Sequence, residues 1–155
     1  MRRSDKEITD KAQIAEILQK AEVIRIAMVD DGEPYIVAMN FAYSGTDNCI
    51  YLHSAAKGRK IDILEKNSKV AFQTEIDAAL VLREVACDST VRYRSVCGVG
   101  RVNFVRDAEE KKKLLDAIML KYSGRSGFTY SERALDGTLG MRLNIDSLTG
   151  KKSGY

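Results

Sequence analysis

Apolar residues recur at helical spacing at Ile14, Ile17, Leu18 and Ala21, which predicts a first helix over about Lys11 to Ala21. Asp10-Lys11-Ala12-Gln13 stands at its start with the polar spacing of a capping box. The period then changes to two. VIRIAMVD (Val23 to Asp30) reads as a strand, Asp30-Asp31-Gly32-Glu33 as a hairpin turn, and PYIVAMNFAY (Pro34 to Tyr43) as the returning strand. Pro34, the only proline, stands at the first position of that strand, where a missing N–H is tolerated. Ser44-Gly45-Thr46-Asp47 turns the chain again into a third strand, Cys49 to His53. Connections this short suit an antiparallel meander and exclude parallel crossovers.

Further along, a short helix is expected over about Arg59 to Lys66, with Asn67 as a left-handed terminator. Lys69 to Ile76 is a fourth strand, and Asp77 to Ser89 reads either as a strand end or as an irregular loop. Val91 to Asp107 is one long strand. Gly98 and Gly100 stand two apart and share a face, as in a strand bending around a small barrel. Asp107 and Glu110 form a second capping box, ahead of a third helix with Leu114, Leu115, Ile118, Met119 and Tyr122 as its apolar stripe. Ser123 to Gly137 is a connection. Thr138 to Ile145 alternates Leu139, Met141, Leu143 and Ile145 inward, and the polar tail SLTGKKSGY is expected to be flexible. The expected fold is mainly β: one domain over residues 1–155, a six-stranded antiparallel barrel with peripheral helices.

Composition narrows the function. The 155 residues carry 25 basic and 22 acidic side chains, a net charge of +3, with 45% apolar residues. Nucleic-acid binding would need a basic stripe with stacking aromatics, and none stands out. The run Lys111-Lys112-Lys113 reads as a solvated helix face. Three cysteines without a Cys-x-x-Cys, and one histidine, give no zinc site, so no metal is expected. MRRSDKEITD lacks the apolar region of a secretory signal, and no run approaches a membrane span; a cytoplasmic protein without nucleic-acid or membrane partners is expected.

The candidate chemistry centres on HSAAKGRK, His53 to Lys60. His53 and Ser54 are too close in the chain for a Ser-His-Asp triad. The phosphate loop G-x-x-x-x-G-K-[ST] is absent, and GVGRVN lies inside a strand, out of context for a dinucleotide fingerprint. A strand end, small residues and a helix N-terminus do make an anion site, because first-turn N–H groups lack partners and the helix dipole favours negative charge there. Gly58 lets the backbone approach, Arg59 offers paired donors and Lys60 a point charge. The competing reading is that Arg59 and Lys60 face water. His53 is either a hydrogen-bonded structural residue or a catalyst, and Tyr93-Arg94-Ser95 either lines a ligand or is solvated.

DDGEPYIVAMNFAY, IYLHSAAKGRKIDILEKNSKVAF, VRYRSVCGVGRVNFV and LTGKKSG, in that order, resemble the FMN-binding split-barrel flavoproteins. Within them the chain is most similar to the branch of nitroimidazole-resistance proteins, related to pyridoxamine 5′-phosphate oxidases. The resemblance implies a split β-barrel and a homodimer with two FMN sites at the subunit interface. Arg59 and Lys60, with Gly58, would hold the FMN phosphate. Asn40 and Phe41 would lie along the flavin ring through backbone contacts, and His53, Ser54 and Ala55 would sit beside it. Tyr93 and Ser95 would reach FMN from the long strand, and Lys151 the partner's site. His53 would be the catalytic residue, facing the substrate. The oxidase proper carries a C-terminal tryptophan and an Arg-x-His segment; this chain has no tryptophan and ends KKSGY, which argues against that activity. The expected function is an FMN-dependent oxidoreductase acting on nitroaromatic or quinone-like acceptors, with NAD(P)H as the candidate donor. The alternative is a non-catalytic flavin- or haem-binding protein for storage or sensing, with His53 the imidazole ligand.

Overall fold

The computed structural model describes residues 3–155. After a short strand β1 (Glu7–Ile8), α1 (Lys11–Lys20) begins where the Asp10 carboxylate accepts the Ala12 N–H at 2.8 Å. Ile17 and Leu18 bury its inner face completely. β2 (Ile24–Asp30) and β3 (Glu33–Met39) form the expected hairpin. Asp31 and Gly32 both take positive φ, 49° and 92°, the mirror-image turn whose twist matches paired strands. Pro34 is the second residue of β3, and it is tolerated because β3 lies at an edge of the sheet.

The expected single strand from Pro34 to Tyr43 is broken at Asn40, and β4 (Phe41–Ser44) begins after it. Then follow β5 (Cys49–Ala55), α2 (Arg59–Lys66), β6 (Lys69–Val81), β7 (Thr90–Val105), α3 (Ala108–Ser123), α4 (Glu132–Gly137) and β8 (Thr138–Ser153). All strand pairs are antiparallel, in the order β3-β2-β6-β7-β8-β5-β4, with β1 on β8. The ladder curls without closing. Its two ends, β3 and β4, are consecutive in the chain and joined through Asn40. This is a split barrel, with eight strands where six were expected because the second strand divides and β1 adds to the sheet.

The interior is filled by Ile24, Ile26, Phe41, Ile50, Leu52, Phe72, Val96, Met141 and Leu143, all buried. Gly98 and Gly100 do share the inward face. A Cβ at Gly98 would strike the Phe72 ring, and one at Gly100 would meet the Asn144 carbonyl and come within 2.9 Å of Leu143. The β7–β8 register shifts between Val99 and Gly100, so the strand bends where side chains are absent.

Four further expectations are corrected. Asn67 is extended, with φ −144°, rather than left-handed. Lys111 is buried and donates from Nζ to the Leu135 carbonyl at 2.6 Å, so the lysine run is not wholly solvated. The connection before Thr138 contains α4, whose N–H at Ala134 is capped by Ser131 Oγ. The polar tail is not free: β8 continues through it, pairing Thr149 with Cys97 and Lys151 with Ser95. Among the described residues, no helix is long and apolar enough to cross a membrane.

Candidate functional site

At the split between β3 and β4 lies an open cleft of about 670 Å³. One wall is the edge strand β3, through Tyr35, Val37 and Met39, ending at Asn40. The opposite wall is the end of β5, through His53, Ser54 and Ala55, and Lys60 of α2 closes one side. Gly137 and Thr138, where α4 meets β8, complete it. Neither of these two was expected from the sequence, since nothing in LDGTLG marks a binding position.

The mouth of α2 is built as an anion site requires. Its N-cap is Gly58, with φ 121°, and no side chain caps the first turn. The Gly58 carbonyl accepts the Ile61 and Asp62 N–H groups at 2.8 and 3.2 Å, while space is open around the glycine. The two first-turn cations differ. Lys60 lines the cleft. Arg59 turns along its rim, its guanidinium 4.5 Å from the Tyr35 ring centroid and its Nε 3.6 Å from Asp30. The plain solvated reading of Arg59 is thereby excluded: it is stacked and ion-paired, yet more than half exposed.

His53 is half-buried between the cleft and the body of the protein. Among the described residues its Nδ1 is a buried side-chain atom without a hydrogen-bond partner, a costly arrangement unless a ligand completes it. Burial lowers the imidazole pKa, and the neighbouring Lys60 charge lowers it further, both favouring the uncharged ring. Ser54 donates to its neighbour's carbonyl at Ala55, at 2.8 Å.

Phe41 is placed differently from expectation. Its side chain is wholly buried in the core, and its backbone N–H donates to the Tyr122 hydroxyl at 3.0 Å, which itself donates to the Glu22 carbonyl at 2.6 Å. The backbone contact expected at Phe41 is thus already taken within the chain, whereas Asn40 faces the cleft. Tyr93, Ser95 and Lys151 do not line the cleft. They lie on the outer face of β7 and β8, where Ser95, itself buried, is paired with Lys151 and with Glu75, and the Lys151 ammonium is 5.6 Å from the Tyr93 ring. On that face a second depression, about 430 Å³, runs over Ala27, Ile36, Ala71, Cys97 and Val99. It offers one cation, Arg25, which Glu75 already binds at 3.0 Å, whereas the split cleft has an open helix mouth with Lys60.

A flat heteroaromatic phosphate fits this set: an open basic helix mouth, an aromatic and aliphatic wall, and an imidazole beside it. Comparison with known proteins agrees with the fold. Residues 10–152 match the family described as pyridoxamine 5′-phosphate oxidase. A candidate 5-nitroimidazole antibiotic resistance protein from Bacteroides thetaiotaomicron is 34% identical, with a TM-score of 0.84 over 94% of this chain and 86% of that one. A FAD and haem binding protein from Mycobacterium smegmatis is 21% identical, with a TM-score of 0.83 over 97% and 74%. A FAD-binding protein from Mesorhizobium loti is 22% identical, with a TM-score of 0.66 over 94% and 96%. The last two share the fold. No curated protein sequence matches significantly.

Proposed function

We propose that this chain, which belongs to the pyridoxamine 5′-phosphate oxidase family, is a flavin-dependent oxidoreductase that holds FMN in the split cleft and reduces nitroaromatic or quinone-like small molecules, with NAD(P)H as donor. The observation that carries this reading is that the uncapped basic mouth of α2 and the half-buried His53 line one cleft. The likeness to a candidate nitroimidazole-resistance protein supports the choice of acceptor. FMN is favoured over FAD because the cleft has one anion-binding mouth.

In this reading Lys60 binds the phosphate directly, and Gly58 leaves room for it beside the first-turn N–H groups. Arg59 reaches it from the rim. Asn40 and the Tyr35–Met39 wall orient the ring. Bound there, the flavin supplies the electrons. His53 manages the proton that reduction of a nitro group or quinone consumes. Burial is the larger cause of the lowered His53 pKa and the Lys60 charge the smaller, and a phosphate on Lys60 would offset the second of these. Tyr93, Ser95 and Lys151 stand outside the cleft, and we assign them to the cleft of a second copy in a two-fold homodimer.

A second reading has one observation in its favour. A histidine that lines the cleft and whose pKa is lowered is also a candidate haem ligand, and a structural relative is a FAD and haem binding protein. The absorption spectrum of the purified protein, with the released cofactor identified by mass, separates the two. A flavin spectrum, FMN affinity above that of riboflavin, and oxidation of NAD(P)H by a nitroaromatic support the oxidoreductase. A haem Soret band that His53→Ala abolishes supports the alternative. Equal affinity for FMN and riboflavin would sink the phosphate assignment.

A further inference from the structure

Beyond Ile76 and Tyr93, β6 and β7 leave the sheet. β2 pairs with β6 only from Ala71 to Gln73, and β8 pairs with β7 only as far as Tyr93. The two strands continue as a two-stranded ribbon, pairing Ala79 with Arg92, Leu80 with Val91 and Val81 with Thr90, with Gly154 and Tyr155 against Arg92 at its base, and a loop through Leu82 to Ser89 joins them. An isolated two-stranded ribbon is marginal in water. This one also exposes large apolar side chains: Leu80 is 66% exposed and Leu82 72%, with Val85 and Val91 exposed beside them. Its root is nevertheless fixed. A bulge at Asp77, with φ 58°, re-aims β6, and Arg94 bonds both Asp77 and Glu16 at 2.7 and 2.8 Å. The arm is rooted firmly in the fold and its apolar tip is uncovered.

Register fixes the direction in which the arm presents its apolar side. Val91 follows the same alternation as Tyr93, Ser95 and Cys97, so it lies on the outer face of the sheet, and Leu80 is directly opposite it. The outer-face depression continues this surface to Ile36 on the edge strand β3, 62% exposed. The other face of β3 carries Tyr35 and Val37, which line the cleft. The outer face and the cleft are therefore separated by one strand. A second copy seated on the outer face would lie beside the rim of the cleft. The charges of arm tip and cleft mouth are complementary. The loop at the arm's tip bears Glu84 and Asp88 against Arg83, and the cleft mouth bears Lys57, Arg59 and Lys60.

We propose that the β6–β7 arm docks on a second copy of this chain and closes the open side of that copy's cleft, with Leu80, Leu82 and Val91 as its contact residues. The inference rests on the two-copy flavin reading above. It adds a lid supplied in trans.

Leu82→Trp tests it, because it places the chain's only tryptophan at the tip of the arm. FMN is the probe. In the loaded dimer the tryptophan emission should fall at least about twofold relative to the unloaded dimer. The same fall should appear when Leu82→Trp is combined with Lys60→Ala and mixed with excess wild-type chains, since the quenching flavin then belongs to the partner. A dimer that loads FMN with unchanged tryptophan emission overturns the arm and leaves the flavin reading intact. Failure of the wild-type chain to bind FMN, or binding by a stable monomer, overturns the two-copy reading and the arm with it. A blue shift on phosphatidylglycerol–phosphatidylcholine vesicles, without any effect of FMN, overturns the arm by making its tip a membrane contact.

Discussion

The mouth of α2 and the outer row of Tyr93, Ser95 and Lys151 were both expected to hold one cofactor, yet the fold treats them differently. Gly58, Arg59 and Lys60 are contiguous in the chain, and their roles follow from local geometry: a glycine N-cap, an open first turn, one cation in the cleft and one on its rim. The outer row is assembled from two strands and faces away from that cleft, across the sheet. On the two-copy proposal, the first region lies within one chain and the second serves a partner's cleft. Substitutions at the α2 mouth should act within one chain. Those in the outer row should act only through a partner. Every experiment below either widens that difference or removes it.

The largest effect is expected at His53. His53→Ala should keep FMN, because the ring does not hold the phosphate, and should slow re-oxidation of the reduced, FMN-loaded protein by a nitroaromatic about 10²–10⁴-fold. Stopped-flow kinetics across pH would check it. Identical rates and pH profiles in wild type and mutant would make His53 structural.

Next come the two cations. Lys60→Ala should weaken FMN about tenfold or more, the loss of one charge-assisted contact. Arg59→Ala should cost less, since Asp30 and Tyr35 already engage its side chain, and riboflavin affinity should change little in either variant. Fluorescence titration gives both numbers. Equal losses would mean that Arg59 leaves Asp30 when the phosphate binds.

The unequal legibility of the two regions has a physical basis. Hairpin, helix starts and the α2 mouth are written in runs of four to eight residues, so local propensity and turn chemistry reveal them. The second half of β8 is not written that way. Where its alternation should continue inward stands Gly150, which is small because β1 crosses there: a Cβ would lie 2.8 Å from that of Ile8. The close approach erases the apolar signal, and the strand reads as a flexible tail. The break at Asn40 is hidden for the opposite reason. VAMNFAY alternates without interruption, and the device that settles the break, the Tyr122 hydroxyl accepting the Phe41 N–H, lies 81 residues away. The arm is ambiguous in the sequence because a ribbon's partner strand supplies its order while its apolar residues remain outside. Gly137 and Thr138 enter the cleft only through the placement of α4, six residues long and without apolar periodicity.

A smaller effect should come from the outer row. Lys151→Ala should weaken FMN about fivefold, near 1 kcal/mol, and only where a partner is present. Mixed dimers show this most directly. A Lys151→Ala chain that also carries Lys60→Ala, paired with a wild-type chain, should impair the wild-type chain's cleft. If that cleft binds FMN as tightly as in the wild-type dimer, the outer row belongs to no flavin site.

The smallest expected effect is a slope in acid stability, and it belongs to the cleft alone. His53 has a pKa below its ordinary value of 6.5, from burial first and the Lys60 charge second. In the unfolded chain the imidazole takes up a proton near that ordinary value, while the folded chain resists it. The unfolded state therefore binds more protons in this window, and stability rises with pH through it. Stability should be level above the ordinary pKa, fall as the pH drops below it, and level again beneath the folded pKa. In urea titrations of the flavin-free protein, His53→Gln should flatten that segment of the curve. Ser95→Ala, in the outer row, removes no titratable group and should leave it in place. Adding FMN should reduce the wild-type slope, because a phosphate on Lys60 offsets one of the two causes that depress the imidazole. If the slope survives His53→Gln, another group carries it, and the coupling between Lys60 and His53 is not part of how the cleft works.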